Sequence, residues 1–282
     1  MKTRVGRRLP AILIGLALAL SPSCAGSGSK KPDKITSELL TQPKEALFEK
    51  GKALIAKGKF EEGRKYLNHV FETYPNETLG REALLLVADS YLSQKGVKNY
   101  TEARYRYRDY LNRYPGAPRR DYARYQFALC YDKEHEKPDR DQTATREAIE
   151  QYRNLIREFP DSGYAGAGRE RVRQLTDLLA EHDFAVGFFY FRKGATASAL
   201  SRFTAVEQRF PEYAGRDKLF YYEARSLERL GRRDEAKRYF GRILEEFPKS
   251  EYAKKARPKV RGKEGETAPT TAITVDTKPQ SQ

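Results

Sequence analysis

Apolar side chains recur at fixed distances before a proline near the end of the chain. Ala236, Phe240, Ile243 and Phe247 precede Pro248 by twelve, eight, five and one residues. Because an α-helix has about 3.6 residues per turn, this spacing predicts one apolar stripe on a helix that proline ends. A helix of this length with a single apolar face must be covered by another helix.

The same frame precedes four other prolines, so the pattern is an internal repeat. Each copy has a small residue first, two large apolar residues next, and an aromatic residue directly before the proline. A chance aromatic stripe would not keep four positions in register five times. The four further copies are Gly63-Leu67-Val70-Tyr74-Pro75, Ala103-Tyr107-Tyr110-Tyr114-Pro115, Ala148-Tyr152-Leu155-Phe159-Pro160 and Ala199-Phe203-Val206-Phe210-Pro211.

A second helical segment precedes each copy and carries a small residue followed three positions later by a large one. The small residue lets two helices approach closely, and the large residue fills the groove beside it. This unit of about 34 residues is typical of the tetratricopeptide repeat. We therefore predict an all-α fold, a right-handed tetratricopeptide-repeat solenoid of five helix-turn-helix repeats. The pairs are Gly51/Leu54, Ala88/Tyr91, Ala128/Tyr131, Gly187/Tyr190 and Ala224/Leu227.

The repeats are predicted to occupy residues 44–257. Repeat three is lengthened by a charged insertion, Glu134 to Thr143. Between repeats three and four the apolar pattern continues, and no glycine or proline interrupts Arg169 to Val186. We therefore predict an unusually long helix that links repeats three and four and couples the two halves as a rigid strut.

Residues 1–23 are typical of a secretory signal, with four basic residues before an apolar run of ten residues, Ala11 to Leu20. This run is shorter than the roughly 20 residues of a transmembrane helix. Cys24 follows and is the expected lipidation site of a lipoprotein signal; the alternative is ordinary signal cleavage that leaves a free thiol. Residues 24–43 are predicted to be a flexible tether, and 258–282 a disordered basic tail.

The formal net charge is +15, and without the four basic residues of the signal it is +11. A basic surplus suits nucleic acid, an anionic membrane or an acidic protein. The run Arg104 to Tyr110 alternates basic and aromatic residues. Tyr107 and Tyr110 are core positions of the repeat, however, and Arg104 and Arg108 are expected on the exposed side. In an exported protein we therefore predict no nucleic-acid partner.

Residue patterns of an enzyme are weak in this chain. His69, His135 and His182 are scattered without paired metal-ligand spacing. Cys130 lies on a helix beside repeat-core positions, where a buried structural cysteine is expected rather than a nucleophile. We therefore predict no catalytic residue, no metal and no cofactor.

The remaining functional surface is the concave side formed by the first helix of each repeat. Exposed aromatic residues beside charges suit the binding of an extended peptide. The alternative for each aromatic residue is packing against a neighbouring helix. The predicted groove residues are Phe48, Lys52, Leu85, Asp89, Tyr122 and Tyr125.

Three local motifs resemble the BamD family of outer-membrane assembly lipoproteins, over about residues 38–256. The insertion motif and the long helix are the specific part, and Asp183 stands where the family usually has glutamate. The motifs are Tyr114-Pro115 with Asp121-Tyr122-Ala123, Tyr125 and Leu129-Cys130; Arg140-Asp141-Gln142-Thr143 before Ala148 and Tyr152; and Leu179-Ala180 with Val186-Gly187 and Tyr190.

This resemblance implies a scaffold on the periplasmic face of the outer membrane, within the β-barrel assembly machinery. It implies that the first three repeats receive unfolded outer-membrane proteins and that later repeats dock the POTRA domains of the barrel insertase. Arg202 matches a family arginine implicated in that docking, and Arg209 and Arg216 are expected to meet the same acidic partner surface. The alternative is another periplasmic repeat lipoprotein that serves the cell-wall or Tol–Pal machinery.

Overall fold

The structure, a computed structural model, describes residues 34–261, and within them all regular structure is α-helical. From α2 onward each helix packs against the next along the chain. The helices are α1 Lys34–Thr41, α2 Lys44–Ala56, α3 Phe60–Thr73, α4 Thr78–Gln94, α5 Val97–Arg113, α6 Arg120–Asp132, α7 Thr143–Glu158, α8 Gly163–Arg192, α9 Thr196–Arg209, α10 Arg216–Arg229, α11 Arg233–Glu246 and α12 Glu251–Arg261.

Helices α2 to α11 form the five predicted pairs, and α12 covers the last of them. The first helices of neighbouring repeats also touch, as α2 does α4 and α8 does α10. This sequential packing confirms the tetratricopeptide-like repeat array.

The stripe on the second helices is confirmed at three of its four positions. In every repeat the residues twelve, eight and five places before the proline are buried. The aromatic residue directly before the proline was also placed on the helix, and there the prediction is wrong. Phe247, for example, is the C-cap residue of α11 with φ −132°, because the ring of a following proline excludes helical backbone.

Two of the predicted small residues allow close approach between paired helices. A Cβ built on Gly51 would lie 2.8 Å from Leu67 Cγ and 3.0 Å from the backbone oxygen of Gly63. A Cβ on Gly187 would lie 2.7 and 2.8 Å from two ring carbons of Phe203. These contacts confirm that the small residue of the repeat is required by the distance between α2 and α3 and between α8 and α9.

Replacing Gly187 by alanine is expected to destabilise the protein by about 1–3 kcal/mol, because the new methyl group overpacks a rigid buried ring. The matched control is Gly166→Ala in the same helix, since a Cβ there meets nothing within 4 Å. Alanine at that position should stabilise the helix by about 0.5–1 kcal/mol. Urea denaturation monitored by circular dichroism measures both, and shifts of the same sign would contradict the assignment.

Helix α8 is the long helix predicted between repeats three and four, and its 30 residues make it about 45 Å long. Ser162 caps its start, because the side chain accepts a hydrogen bond from the backbone N–H of Tyr164. Its first half contributes Leu175 to the core of repeat three, and its second half contributes Phe184 to the core of repeats four and five.

A buried carboxylate fastens repeat three to α8. Asp132, the last residue of α6, is 2% exposed. Arg171 of α8 binds it with Nη2 at 2.5 Å and Nε at 2.7 Å, and the Tyr152 hydroxyl donates to it at 2.9 Å. The hydrogen bond to Asp132 raises the pKa of Arg171. Burial first, and then the charge of Asp132, raise the pKa of Tyr152. Sequence spacing gave no indication of this network.

The repeat domain and its flanks differ from the predicted boundaries. The tether predicted at 24–43 contains α1, which belongs to a separate unit of the chain. At the other end α12 continues through Pro258 into the predicted tail. Val260 packs on the core of repeats four and five, and Lys259 Nζ lies 3.1 Å from Glu228 Oε1, so contacts hold this last turn. The predicted signal, Cys24 and most of the tail lie outside the described residues.

Candidate binding surfaces

The predicted peptide groove of repeats one to three is only partly formed by the residues assigned to it. Phe48 and Leu85 are buried, with 5% and 1% of their surface exposed, so their assignment to an open groove is wrong. Helical spacing places both side chains on the concave side of the repeats, which the first helices form. At these two positions neighbouring helices cover that side, so the side chains are buried. Lys52 is exposed and lies 3.6 Å from Glu49.

Asp89, Tyr122 and Tyr125 do come together, between repeats two and three. Asp89 Oδ1 accepts hydrogen bonds from the hydroxyls of Tyr107 at 2.5 Å and Tyr122 at 2.9 Å. Burial raises the pKa of Asp89, and the two hydroxyl bonds oppose that rise. Burial and the nearby carboxylate raise the pKa of Tyr122 to about 12. The cluster is therefore a hydrogen-bonded wall between repeats two and three.

Tyr164, at the start of α8, extends this wall and was not predicted from the sequence. Its ring stacks on Tyr125 at 5.2 Å and meets the edge of Tyr122 at 5.8 Å. The Arg119 guanidinium lies 4.5 Å from the Tyr122 ring centre. All three tyrosines are half-buried, so the surface presents aromatic faces and one cation. Tyr164 follows the capping Ser162 by two residues, in the first turn of α8, and this placement was the sequence signal that could have found it.

Arg202 is the most available of the three predicted interface arginines. It is exposed, and it forms no ion pair with any residue of 34–261. Tyr190 and four small residues line a shallow hollow around it, and no carboxylate of residues 34–261 pairs with its guanidinium. The spacing of the small residues along one face of α9 was visible in the sequence. The small residues are Ala197, Ser198, Ser201 and Ala205.

Arg209 and Arg216 are engaged within the chain. Arg209 Nη1 lies 2.5 Å from Asp183 Oδ2, although the side chain remains 62% exposed. Arg216 Nη2 lies 2.7 Å from Glu246 Oε2, and its guanidinium lies over the ring of Phe220. A partner that used Arg216 would have to displace Glu246. The structure therefore separates the three arginines into one free cation and two paired ones.

The cysteine and the basic-aromatic run also have clear structural positions. Cys130 is buried, and this burial raises the pKa of its thiol to about 12.

Tyr107 and Tyr110 are buried as predicted. Arg104 was expected on the exposed side and is not: its side chain is 18% exposed, 2.6 Å from Glu134 and 4.4 Å from the Tyr131 ring centre. Arg104 therefore holds Glu134, the first residue of the charged insertion. The repeat frame alone did not indicate this contact.

Two features are absent from the described part of the chain. Between Lys34 and Arg261 no group of three His, Cys, Asp or Glu side chains is arranged to hold a metal ion. In the same range no helix combines the length and the hydropathy needed to cross a bilayer.

The chain is similar to curated BamD proteins and to solved tetratricopeptide-repeat structures. The BamD outer membrane protein assembly factor of Caulobacter vibrioides is 28% identical over 247 residues, which cover 87% of this chain and 79% of that protein. BamD of Rickettsia prowazekii is 26% identical and covers 86% of this chain and 91% of its own length. Among solved structures, the TPR2AB domain of yeast Sti1 is 16% identical, with a TM-score of 0.44, and covers 77% of this chain and 83% of that chain.

A family model described as YfiO, outer membrane lipoprotein, matches residues 41–239, which is most of the repeat domain. The match includes the charged insertion and the long helix α8, the two features that a generic repeat lacks. The chain therefore belongs to the YfiO family of outer membrane lipoproteins, and with it to the non-enzymatic BamD outer membrane protein assembly factors.

Proposed function

We propose that this assembly factor is anchored in the outer membrane by a lipid on Cys24 and works as a two-ended scaffold in the periplasm. The N-terminal repeats bind unfolded outer-membrane β-barrel proteins. Repeat four binds the POTRA domains of the barrel insertase. The observation that carries the second assignment is the exposed, unpaired guanidinium of Arg202 in its hollow of small residues.

The substrate end is the wall formed by Asp89, Tyr122, Tyr125 and Tyr164. Half-buried aromatic rings give contact area at little cost in side-chain entropy, and Arg119 adds a cation at the edge. An extended chain with alternating aromatic side chains suits this surface, because every second residue can lie on a ring. Such alternation is the sequence pattern of a transmembrane β-strand.

The partner end uses charge chiefly for orientation and for the rate of association. Arg202 meets an acidic group directly, because no carboxylate of residues 34–261 competes for it. Arg209 adds an exposed cation on the same helix, already balanced by Asp183. Arg216 contributes little in this proposal, because Glu246 holds it.

The test is a pull-down in mild detergent from native envelopes, with the partners identified by mass. The wild-type protein should recover a POTRA-containing barrel insertase, and Arg202→Glu should reduce that recovery by at least about tenfold, since a charge reversal replaces attraction by repulsion. The matched control is Arg153→Glu, at another exposed arginine, in α7, which should leave recovery unchanged.

Two results would overturn the proposal. Equal loss with Arg202→Glu and Arg153→Glu would show a general charge effect and remove repeat four as the docking site. Recovery of Pal, Tol or peptidoglycan synthases without any insertase would favour the alternative scaffold for cell-wall or Tol–Pal machinery. Loss of radiolabelled palmitate incorporation in Cys24→Ser tests the anchor separately, and retained labelling would exclude Cys24.

A further inference from the structure

Repeats four and five carry a second surface that the proposed function does not use. It is a hollow between three helices, α8, α10 and α12, on the first-helix side of the repeats. Its floor is aromatic: Phe188 meets the edge of Tyr222 at 4.9 Å, and Tyr222 in turn meets Tyr221 at 5.4 Å. Phe191 closes the floor beside Tyr222, at 5.3 Å. We call this surface the C-terminal hollow.

The rim of the C-terminal hollow is basic. It is formed by Arg192, Arg225, Arg229 and Lys255, and no acidic residue lines the hollow. Four cations around an aromatic floor create a local positive potential that low-dielectric walls strengthen.

Two of these four cations have no carboxylate to balance them. Arg192 is exposed and forms no ion pair within the described residues. The Arg229 guanidinium lies 3.7 Å from the Phe191 ring centre and donates to the Phe191 backbone oxygen at 2.9 Å. A backbone oxygen and a ring orient this guanidinium without neutralising it. Arg229 is therefore fixed in place and still electrostatically unpaired within residues 34–261.

The other two cations are balanced by carboxylates outside the lining of the hollow. Arg225 Nε lies 3.0 Å from Glu228 Oε2, and Lys255 Nζ lies 3.0 Å from Glu251 Oε1. Glu228 is shared with Lys259. The surface around the hollow therefore keeps a positive excess after its own ion pairs are counted.

A neighbouring hollow lengthens this surface along α8. It shares Phe188 and Arg192 with the C-terminal hollow and adds Lys193 and Phe189. Phe189 is 55% exposed, one of few large apolar side chains of the described residues left open to solvent. The two hollows together provide alternating apolar and cationic contacts for an extended segment, more than a single ion requires.

We propose that the C-terminal hollow binds an acidic peptide segment of another protein, in extended conformation, with apolar side chains among its carboxylates. Carboxylates pair with Arg192 and Arg229, and apolar side chains lie on Phe188 and Phe189. A protein segment fits better than a membrane surface, because the rings of Phe188, Phe191 and Tyr222 lie in a recess between three helices, where side chains reach and a plane of headgroups does not. No residue that lines the C-terminal hollow also lines the hollow around Arg202.

The test is fluorescence anisotropy with the full-length protein in detergent at low ionic strength. The probe is a short fluorescein-labelled peptide that alternates glutamate with leucine and phenylalanine. We expect binding that weakens about tenfold in the double variant Arg192→Gln and Arg229→Gln. The control double variant, Arg153→Gln and Arg169→Gln, removes two exposed arginines from the other half of the domain and lowers the net charge equally. It should bind as the wild type does.

Three further results decide the proposal. A peptide with glutamine in place of glutamate should bind at least about tenfold more weakly, and equal binding would overturn the electrostatic argument. Equal weakening in both double variants would overturn the location. Mixed micelles of the detergent with zwitterionic or anionic phospholipid should not displace the probe, and full displacement by them would assign the surface to lipid. Arg202→Glu should leave the probe affinity unchanged, which separates this proposal from the docking of the insertase.

Discussion

Replacing Asp132 by asparagine is expected to lower the free energy of unfolding by about 3–5 kcal/mol. The carboxylate is 2% exposed and accepts from Arg171 and Tyr152 at once. An amide keeps the shape but removes the charge, and its NH₂ group faces a guanidinium that can only donate. The variant leaves a partly buried cation without its partner, which costs far more than an exposed ion pair gives.

Urea denaturation at pH 7 measures this loss. The control is Asp139→Asn, an exposed aspartate of the insertion, for which a change within about 0.5 kcal/mol is expected. Adding Arg171→Met to Asp132→Asn should recover part of the lost stability, because the uncompensated charge is then gone. A loss below about 1 kcal/mol in Asp132→Asn would show that the pair does not hold repeat three on α8.

Replacing Glu223 by glutamine is expected to stabilise the protein at pH 8 and to have little effect near pH 4. Glu223 in α10 is fully buried, and Thr204 donates to its Oε1 at 3.3 Å. Its Oε2 finds no hydrogen-bond partner within residues 34–261. Burial first, and then the charge of Glu207, raise the pKa of Glu223 from 4.5 to about 8. The buried carboxyl is therefore protonated in the folded protein at neutral pH.

The sign of the pH dependence follows from where each state releases its proton. Below about pH 4.5 both states hold the proton, so the carboxyl has no effect on stability. Between about pH 4.5 and 8 the unfolded chain ionises while the folded chain does not, so the wild type loses stability as pH rises. A folded-state pKa of about 8 against 4.5 in the unfolded chain corresponds to roughly 4 kcal/mol of lost stability by pH 8. Glutamine does not ionise and avoids that loss.

Thermal unfolding of Glu223→Gln and wild type at pH 4.5 and pH 8 measures the effect. The gain from the substitution should be large at pH 8 and close to zero at pH 4.5. Glu245→Gln, an exposed glutamate of α11, is the control and should show no such dependence. An equal gain at both pH values would mean that the substitution acts through packing and not through ionisation.

The repeat frame predicted the core well because it is a local property. The residues twelve, eight and five places before each proline are buried in every repeat. Gly187 packs against Phe203, as the small residue of the repeat was predicted to do. The aromatic residue before the proline was wrongly placed on the helix, because the following proline ring excludes helical backbone angles at that residue. The length of α8 was predictable, since nothing in Arg169 to Val186 interrupts it.

The candidate sites were less predictable because they depend on distant residues. Phe48 and Leu85 were assigned to the groove from their positions in the repeat frame. Those positions do not show whether a neighbouring helix covers the side chain, and both are buried. Arg202 was assigned to the interface through the family resemblance alone. Glu246 lies 30 residues from Arg216, and no spacing rule connects the two. The partners of Asp132 and the hollow between α8, α10 and α12 are likewise products of tertiary packing.

The shared helix α8 sets how the domain comes apart. Leu179 packs against the core of repeat three and also against the core of repeats four and five. In a linear stack, neighbouring repeats are coupled only through their shared interface. Here one continuous helix, α8, contributes to both cores. Unfolding of either core therefore removes part of the helix that packs against the other core. We therefore expect the domain to fold cooperatively across its middle.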